Sequence, residues 1–190
     1  HLSLRRQRQM CIRDRDNMLS VGEKFPPFQL AGVDENNLFT QVEVCEEFKP
    51  TKNDWTVIYF YPKDFTFICP TEIAGMDALV DDATVIGISG DNEFCKLAWK
   101  QDNELIQGIK HTLVADCGLA VSEELDIVNR DEGVCYRATY ILDEDATIQH
   151  VSVNALDTGR NAEEILRTLQ ALKAGGLTGC DWQPGDDFVA

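Results

Sequence analysis

The 190-residue chain has no hydrophobic run long enough to cross a membrane. Its longest, Trp55–Tyr61, is seven residues, whereas a spanning helix needs about 20. Positive charge is scarce: 17 Lys and Arg stand against 33 Asp and Glu, a net charge of −16. A field of that sign repels phosphate backbones and anionic lipid heads, which argues against nucleic acid or a membrane surface as a main partner. No C-x-x-C occurs among the seven cysteines, at positions 11, 45, 69, 95, 117, 135 and 180. That counts against a thioredoxin-type dithiol and against zinc-ribbon spacing. With no G-x-G-x-x-G, no nucleotide or flavin cofactor is expected on this chain. His111 and His150 stand at no ligand spacing to another His, Cys or carboxylate pair, so no metal is expected either. Internal repeats and low-complexity linkers are also missing. What remains, 44% hydrophobic and 26% charged residues, fits one folded domain with its own core.

The first 17 residues differ from the rest. They hold five Arg and two Asp and no periodic apolar pattern; without them the chain carries 12 basic and 31 acidic residues. No apolar core follows the charges as in a secretory signal, and Asp14 and Asp16 do not suit a transit peptide. The stretch resembles a translated sequencing adapter, a tag or a disordered extension, and Met18 is the expected start. The division expected is therefore an appendage over 1–17, a folded domain over 18–174 and a tail over 175–190.

Within the domain, Trp55–Tyr61 is rich in β-branched and aromatic residues and reads as a buried strand closed by Pro62. Cys69–Val80 reads as a helix. Pro70 and Glu72 suit its first turn, and Ile73, Met76, Leu79 and Val80 line one face. Thr84–Ser89 and His111–Ala115 read as strands, with a helix from Asn92 to about Glu104 between them, capped by Asp91 or Asn92. A short helix is expected over Leu119–Leu125. Arg137–Leu142 and Thr147–Val153 read as strands joined by a hairpin at Asp143–Ala146. Asn161 caps a helix with Glu164 three residues on, and Gly175-Gly176 ends it. After an irregular start the order is β-α-β-α-β-α-β-β-α. This predicts an α/β fold with parallel strands, a closing antiparallel hairpin and helices on both faces. Gly176–Ala190 is expected to be an extended tail.

An odd number of cysteines argues against a secreted disulfide framework and for reduced, cytoplasmic thiols. Cys45, Cys95, Cys117 and Cys135 read as small, mostly buried hydrophobes. Cys69 is placed differently. It falls where the exit loop of a strand becomes a helix, at the end where unpaired amides and the helix dipole favour thiolate over thiol. Position alone leaves a reactive and a structural thiol both open.

The flanking residues carry more. Pro62-Lys-Asp-Phe-Thr66-Phe-Ile-Cys69 fits P-x-x-x-[TS]-x-x-C, and Pro-Thr-Glu-Ile follows. The segment Tyr61–Ile73 resembles the active-site signature of the peroxiredoxins, in particular the alkyl hydroperoxide reductase (AhpC-type) branch. The likeness runs from about Leu19 to Phe188, through Arg137–Asp143 and Asn154–Ile165 to Gly179-Cys-Asp-Trp-Gln-Pro-Gly185. It implies a thioredoxin-like fold with a central mixed sheet. By resemblance, Cys69 is the peroxidatic cysteine, which attacks a hydroperoxide and becomes a sulfenic acid. Thr66 bonds thiolate and peroxide, and Pro62 walls the pocket. Arg137 stabilises thiolate and leaving oxygen, and Glu72 orients Arg137. Outside the resemblance, Arg137 reads as a solvated strand end and Glu72 as a first-turn helix charge.

Cys180, in its Cys-x-Trp-x-Pro-Gly setting, resembles the resolving cysteine of typical two-cysteine members. The likeness implies a homodimer in which Cys180 of one chain condenses with Cys69 of the other, and a ring of dimers beyond that. The alternative is a free tail thiol with a one-cysteine mechanism. Electrons would come from a separate reductant: a thioredoxin, a flavoprotein hydroperoxide reductase or an AhpD-like dithiol protein. A peroxide-sensing redox relay or a chaperone-like ring protein would use the same cysteines, and a dithiol oxidoreductase acting on proteins is weakened by the missing C-x-x-C. The sequence departs from the overoxidation-prone members in lacking their Gly-Gly-Leu-Gly insertion and Tyr-Phe helix, so Cys69 is expected to resist sulfinic acid formation. Trp99 and Trp182 read as packing residues, with Trp182 anchoring the tail.

Overall fold

The computed structural model describes residues 18–45 and 55–190. The expectations for the basic stretch 1–17 and for Cys11 lie outside the described residues. The irregular start expected ahead of Trp55 is instead a hairpin of β1 (Phe28–Val33) and β2 (Phe39–Val44). Its turn is held by Asp34, whose Oδ1 accepts from the amides of Asn36 and Leu38 at 2.8 and 2.9 Å. β2 is half exposed along most of its length, so it presents no clean apolar face in the sequence.

The remaining elements follow the predicted order. They are β3 (Thr56–Phe60), α1 (Cys69–Met76), β4 (Thr84–Ser89), α2 (Glu93–Asp102), β5 (Thr112–Ala115), α3 (Ala120–Glu124), β8 (Arg137–Leu142), β9 (Ile148–Asn154) and α4 (Ala162–Ala174), with a two-residue pair, β6 (Val128–Asn129) and β7 (Val134–Cys135), ahead of β8. Seven strands form one mixed sheet in the order β2-β1-β5-β4-β3-β8-β9. β3, β4 and β5 are parallel neighbours, and the other pairings are antiparallel.

Alternation along β3 divides the core into two layers. Val57, Tyr59 and Tyr61 pack with Ile73 and Met76 of α1, Trp99 of α2, and Ile165 and Leu169 of α4. Ile58 and Phe60 face the other way, onto Val121 and Leu125 around α3 and onto Leu19, Phe25 and Phe28. β3 is therefore buried on both sides, as its unbroken apolar run requires. Among the described residues no helix is long and apolar enough to cross a membrane.

Three local details differ from the sequence reading. The helix begun at Cys69 tightens to a 3-10 turn over Asp77–Leu79, as helix C-termini often do, and the Asp77 side chain there accepts the Lys110 amide at 2.7 Å. The cysteines are less buried than expected. Cys69 and Cys135 are buried, Cys45 and Cys95 are intermediate, and Cys117 and Cys180 are exposed. Cys117 sits in the turn between β5 and α3, where loop geometry places side chains at the surface. Finally, 176–190 forms no helix or strand but turns back on itself. Trp182 stacks on Phe188 with centroids 6.4 Å apart, and the Val189 amide donates to the Leu177 carbonyl at 2.9 Å. Asn161 caps α4 by accepting the Glu164 amide, and Gly175, at φ 72°, closes it in the left-handed region.

Burial pushes His111 and His150 below the ordinary imidazole value, against the pull of Asp77 and Glu164 respectively. Both are neutral in the fold at neutral pH. The unfolded chain takes up these protons near pH ~6.5, so their contribution to stability is level above that pH. Below it the unfolded state is favoured increasingly, until the folded imidazoles protonate too. Urea midpoints measured from neutral pH downward are expected to fall, and to fall less steeply in His111→Gln/His150→Gln. A double variant with an undiminished slope would refute this.

Candidate active site

Cys69 is the first residue of α1 and only 1% exposed. Pro70 has no amide to offer, and the Thr71 amide is taken by the Ile68 carbonyl at 3.1 Å. The first turn therefore leaves little for an anion beyond its dipole, and the sulfur's closest polar partner comes from across the sheet. Arg137, at the start of β8, points its Nη1 to Cys69 Sγ at 3.3 Å. The same Nη1 donates to Glu72 Oε1, and Nε donates to the Leu156 carbonyl at 2.7 Å.

Glu72 lies one turn beyond Cys69 on α1, and its side chain is 2% exposed. Its second oxygen accepts from Arg160 Nε at 2.8 Å and from the Arg160 amide at 3.1 Å. Arg160 was not identified from the sequence. A lone arginine in the loop before a helix cap looks like a solvated charge. Here its side chain is buried, with Nη1 on the Ala138 carbonyl at 2.7 Å and Nη2 on the Phe60 carbonyl. The one signal pointing to it was the family-like stretch Asn154–Ile165.

The charge count of this cluster matters. Two guanidiniums face one carboxylate in a site with almost no water access, so one positive charge is left over. An isolated buried charge is costly, and an anionic Cys69 sulfur neutralises it. Burial pushes Arg137 down, but its bonds to Cys69 and Glu72 outweigh that and hold it above the ordinary arginine value. Other thiols contrast with this setting. Burial pushes Cys95 up to about 11, Cys135 up to about 12, and Cys117 up as well. Among the described cysteines, Cys69 is the one whose sulfur accepts a bond from a guanidinium.

The loop between β3 and α1 carries Pro62, which is buried, and Thr66, which is half-buried. The Thr66 hydroxyl donates to the Lys63 carbonyl at 2.9 Å rather than to the sulfur, which leaves its oxygen lone pairs free to accept. Phe65 bends the loop through the left-handed region at φ 56°. Asp64 fixes this bend from behind. Its amide donates to Asp91 Oδ2 at 2.8 Å, and its carboxylate accepts from Ser89 Oγ at 2.9 Å and Lys96 Nζ at 3.3 Å. Lys96 is wholly buried and also donates to Tyr61 Oη at 3.1 Å. Removing Lys96 strands a buried carboxylate, so Lys96→Met is expected to lose about 3–5 kcal/mol in urea unfolding. Most of that loss should return in Asp64→Asn/Lys96→Met. A Lys96→Met protein with the wild-type midpoint would show that the pair does not hold the loop.

Cys69, Glu72 and Arg137 are thus brought together, while Cys180 stands apart. It is exposed in the tail, its Sγ 3.5 Å from Asp181 Oδ2, and both it and Cys69 are free thiols. The tail itself is docked on α4, where Arg167 Nη1 donates to the Trp182 carbonyl at 3.1 Å.

Residues 21–151 match the sequence profile of the AhpC/TSA family. The chain belongs to that family. It is a peroxiredoxin, a thiol peroxidase. Alkyl hydroperoxide reductase C of Mycolicibacterium smegmatis is 37% identical over 188 residues, covering 90% of this chain and 94% of that protein. Peroxiredoxin-1 of Gekko japonicus is 34% identical over 183 residues, covering 89% of each. The reduced 2-Cys peroxiredoxin of Plasmodium vivax superposes with a TM-score of 0.79 at 33% identity, covering 89% of this chain and 92% of that one. Mycobacterium tuberculosis AhpC gives 0.76 at 33% identity, covering 88% and 100%. The mixed seven-strand sheet and its helices are therefore the thioredoxin-like α/β fold of the peroxiredoxins.

Proposed function

We propose that this peroxiredoxin reduces hydrogen peroxide and organic hydroperoxides through a two-cysteine cycle between paired subunits. The Cys69 thiolate attacks the terminal peroxide oxygen. An S–O bond forms, the O–O bond breaks, and the alcohol or water leaves after taking a proton. Arg137, bonded to the sulfur, would meet the negative charge developing on the leaving oxygen, and Thr66, whose hydroxyl oxygen keeps lone pairs to accept with, would accept from the peroxide. The observation that carries this reading is the buried cluster of Arg137, Arg160 and Glu72, whose charge closes only with an anionic Cys69.

The resulting sulfenic acid condenses with Cys180 of a second subunit, releasing water and forming a disulfide. The exposure of Cys180 and its place in a tail without regular structure support this role. Cys69 is buried, so the start of α1 must open for the sulfurs to meet. A homodimer is the minimal unit, and a ring of such dimers is compatible with it. An external dithiol (a thioredoxin, a flavoprotein hydroperoxide reductase or an AhpD-like protein) returns the disulfide to two thiols. The six described cysteines are free thiols, which suits a reducing, cytoplasmic setting.

Non-reducing gel electrophoresis after one equivalent of hydrogen peroxide tests the cycle in wild type, Cys69→Ser and Cys180→Ser. A dimer band that needs both cysteines is expected. Peroxide consumption with no band in any of the three would replace the cycle with a one-cysteine mechanism.

A further inference from the structure

Tyr59 of β3 is wholly buried, yet it carries a hydroxyl where a phenylalanine would fill nearly the same space. That hydroxyl meets His111 Nε2 at 2.6 Å, and His111 Nδ1 meets Asp77 Oδ1 at 2.8 Å. Burial pushes the Asp77 carboxyl up, but bonds from His111 and the Lys110 amide outweigh it and hold it below the ordinary carboxylate value. An ionised carboxylate only accepts, so Nδ1 carries the proton of the neutral imidazole. Nε2 is then bare, and Tyr59 must donate to it. Lys100, the cation whose field reaches the ring, also disfavours a second proton there. The bonds therefore run in one direction, from Tyr59 through His111 to Asp77. β4 leaves room for them with Gly87, since a Cβ there would overlap the tyrosine hydroxyl.

The Tyr59 ring is also the platform for Arg160, whose Cζ stands 5.1 Å from the ring centroid. Arg160 holds Glu72, Glu72 holds Arg137, and Arg137 donates to Cys69. Asp77 belongs to the turn that directly continues α1, the helix that Cys69 opens. The three residues thus tie the far end of the Cys69 helix to the platform beneath its arginines.

We propose that Asp77, His111 and Tyr59 form a positioning relay for the peroxide step, fixing the ring against which Arg160 lies and so setting Arg137 on Cys69. The proposal rests on the roles assigned above to Cys69 and Arg137. None of the three residues touches the reacting atoms. Their effect is on geometry, where a displacement of about 1 Å can cost up to about 100-fold in rate.

The test compares two reactions of Cys69, oxidation by hydrogen peroxide and alkylation by iodoacetamide. Both need the thiolate, so the ratio of their rate constants does not depend on how much thiolate is present. Only the peroxide reaction builds charge on a leaving oxygen beside Arg137. Tyr59→Phe and His111→Gln are each expected to slow the peroxide reaction about 3- to 10-fold and alkylation by less than about 2-fold, with the double variant no slower than the worse single. Tyr59→Phe keeps the ring and decides the matter if His111→Gln does not fold. A wild-type peroxide rate in Tyr59→Phe would overturn the relay, as would a parallel fall in both reactions or multiplying effects in the double variant. Cys69→Ser is measured alongside. If it kept the wild-type peroxide rate, the assignment of Cys69 would fall and the relay with it.

Discussion

Cys69→Ser is expected to fold, with a lowered urea midpoint because one buried guanidinium loses its anion, and to consume peroxide about 10⁴-fold more slowly or worse, the loss seen when an enzyme's nucleophile is removed. Serine is slightly smaller than cysteine, and its hydroxyl can still accept from Arg137 Nη1, so the buried cluster keeps its shape. What it cannot supply is a polarizable anion near neutral pH. The site has no replacement for that anion. Burial pushes Cys95 and Cys135 up to about 11 and about 12, so neither is ionised under working conditions. Stopped-flow peroxide consumption, with a urea melt as the folding control, gives the answer. Residual activity within about 10-fold of wild type would move the chemistry to another thiol.

The second large effect is on both stability and rate. Glu72→Ala leaves Arg137 and Arg160 facing each other in a buried site with no carboxylate between them. Removing one partner of a buried ion pair costs about 3–5 kcal/mol, and here the single carboxylate serves two cations. The urea midpoint is expected to fall accordingly, and the peroxide reaction to slow because Arg137 is no longer held in place. Glu72→Gln retains the shape and one accepting oxygen, but its amide group faces one of the guanidiniums. It should therefore lie between wild type and Glu72→Ala in both measurements. A Glu72→Ala unfolding free energy within about 1 kcal/mol of wild type would show that the two guanidiniums are relieved by solvent rather than by the carboxylate.

These residues also mark where the sequence suffices. The β3 run from Thr56 to Phe60 announces a doubly buried strand because its side chains leave no polar face. Asn161 and Gly175 announce the limits of α4 because capping depends on a few adjacent residues. Cys69 is legible for the same reason: its helix start, Pro70, and the Pro62 and Thr66 spacing lie within one short segment. Each of these signals is local in the chain, and the backbone interactions that produce it are local too.

Arg160, His111 and Asp77 carry no such signal. Each has ordinary neighbours in sequence, and each acquires its role from a strand or helix elsewhere. Arg160 reaches Glu72 because β3 lies between β4 and β8 in the sheet, which puts the Phe60 and Ala138 carbonyls beside the start of α4. His111 meets Tyr59 because β4 separates β3 from β5 and has only Gly87 where the hydroxyl must pass. Strand order and register are set by the burial of the whole sheet, not by any one segment. Local sequence signals are enough to point to the fold and to single out Cys69 as the candidate nucleophile. The tertiary structure decided which charges surround that cysteine, because a buried charge takes its partner from whatever the packed sheet brings within reach.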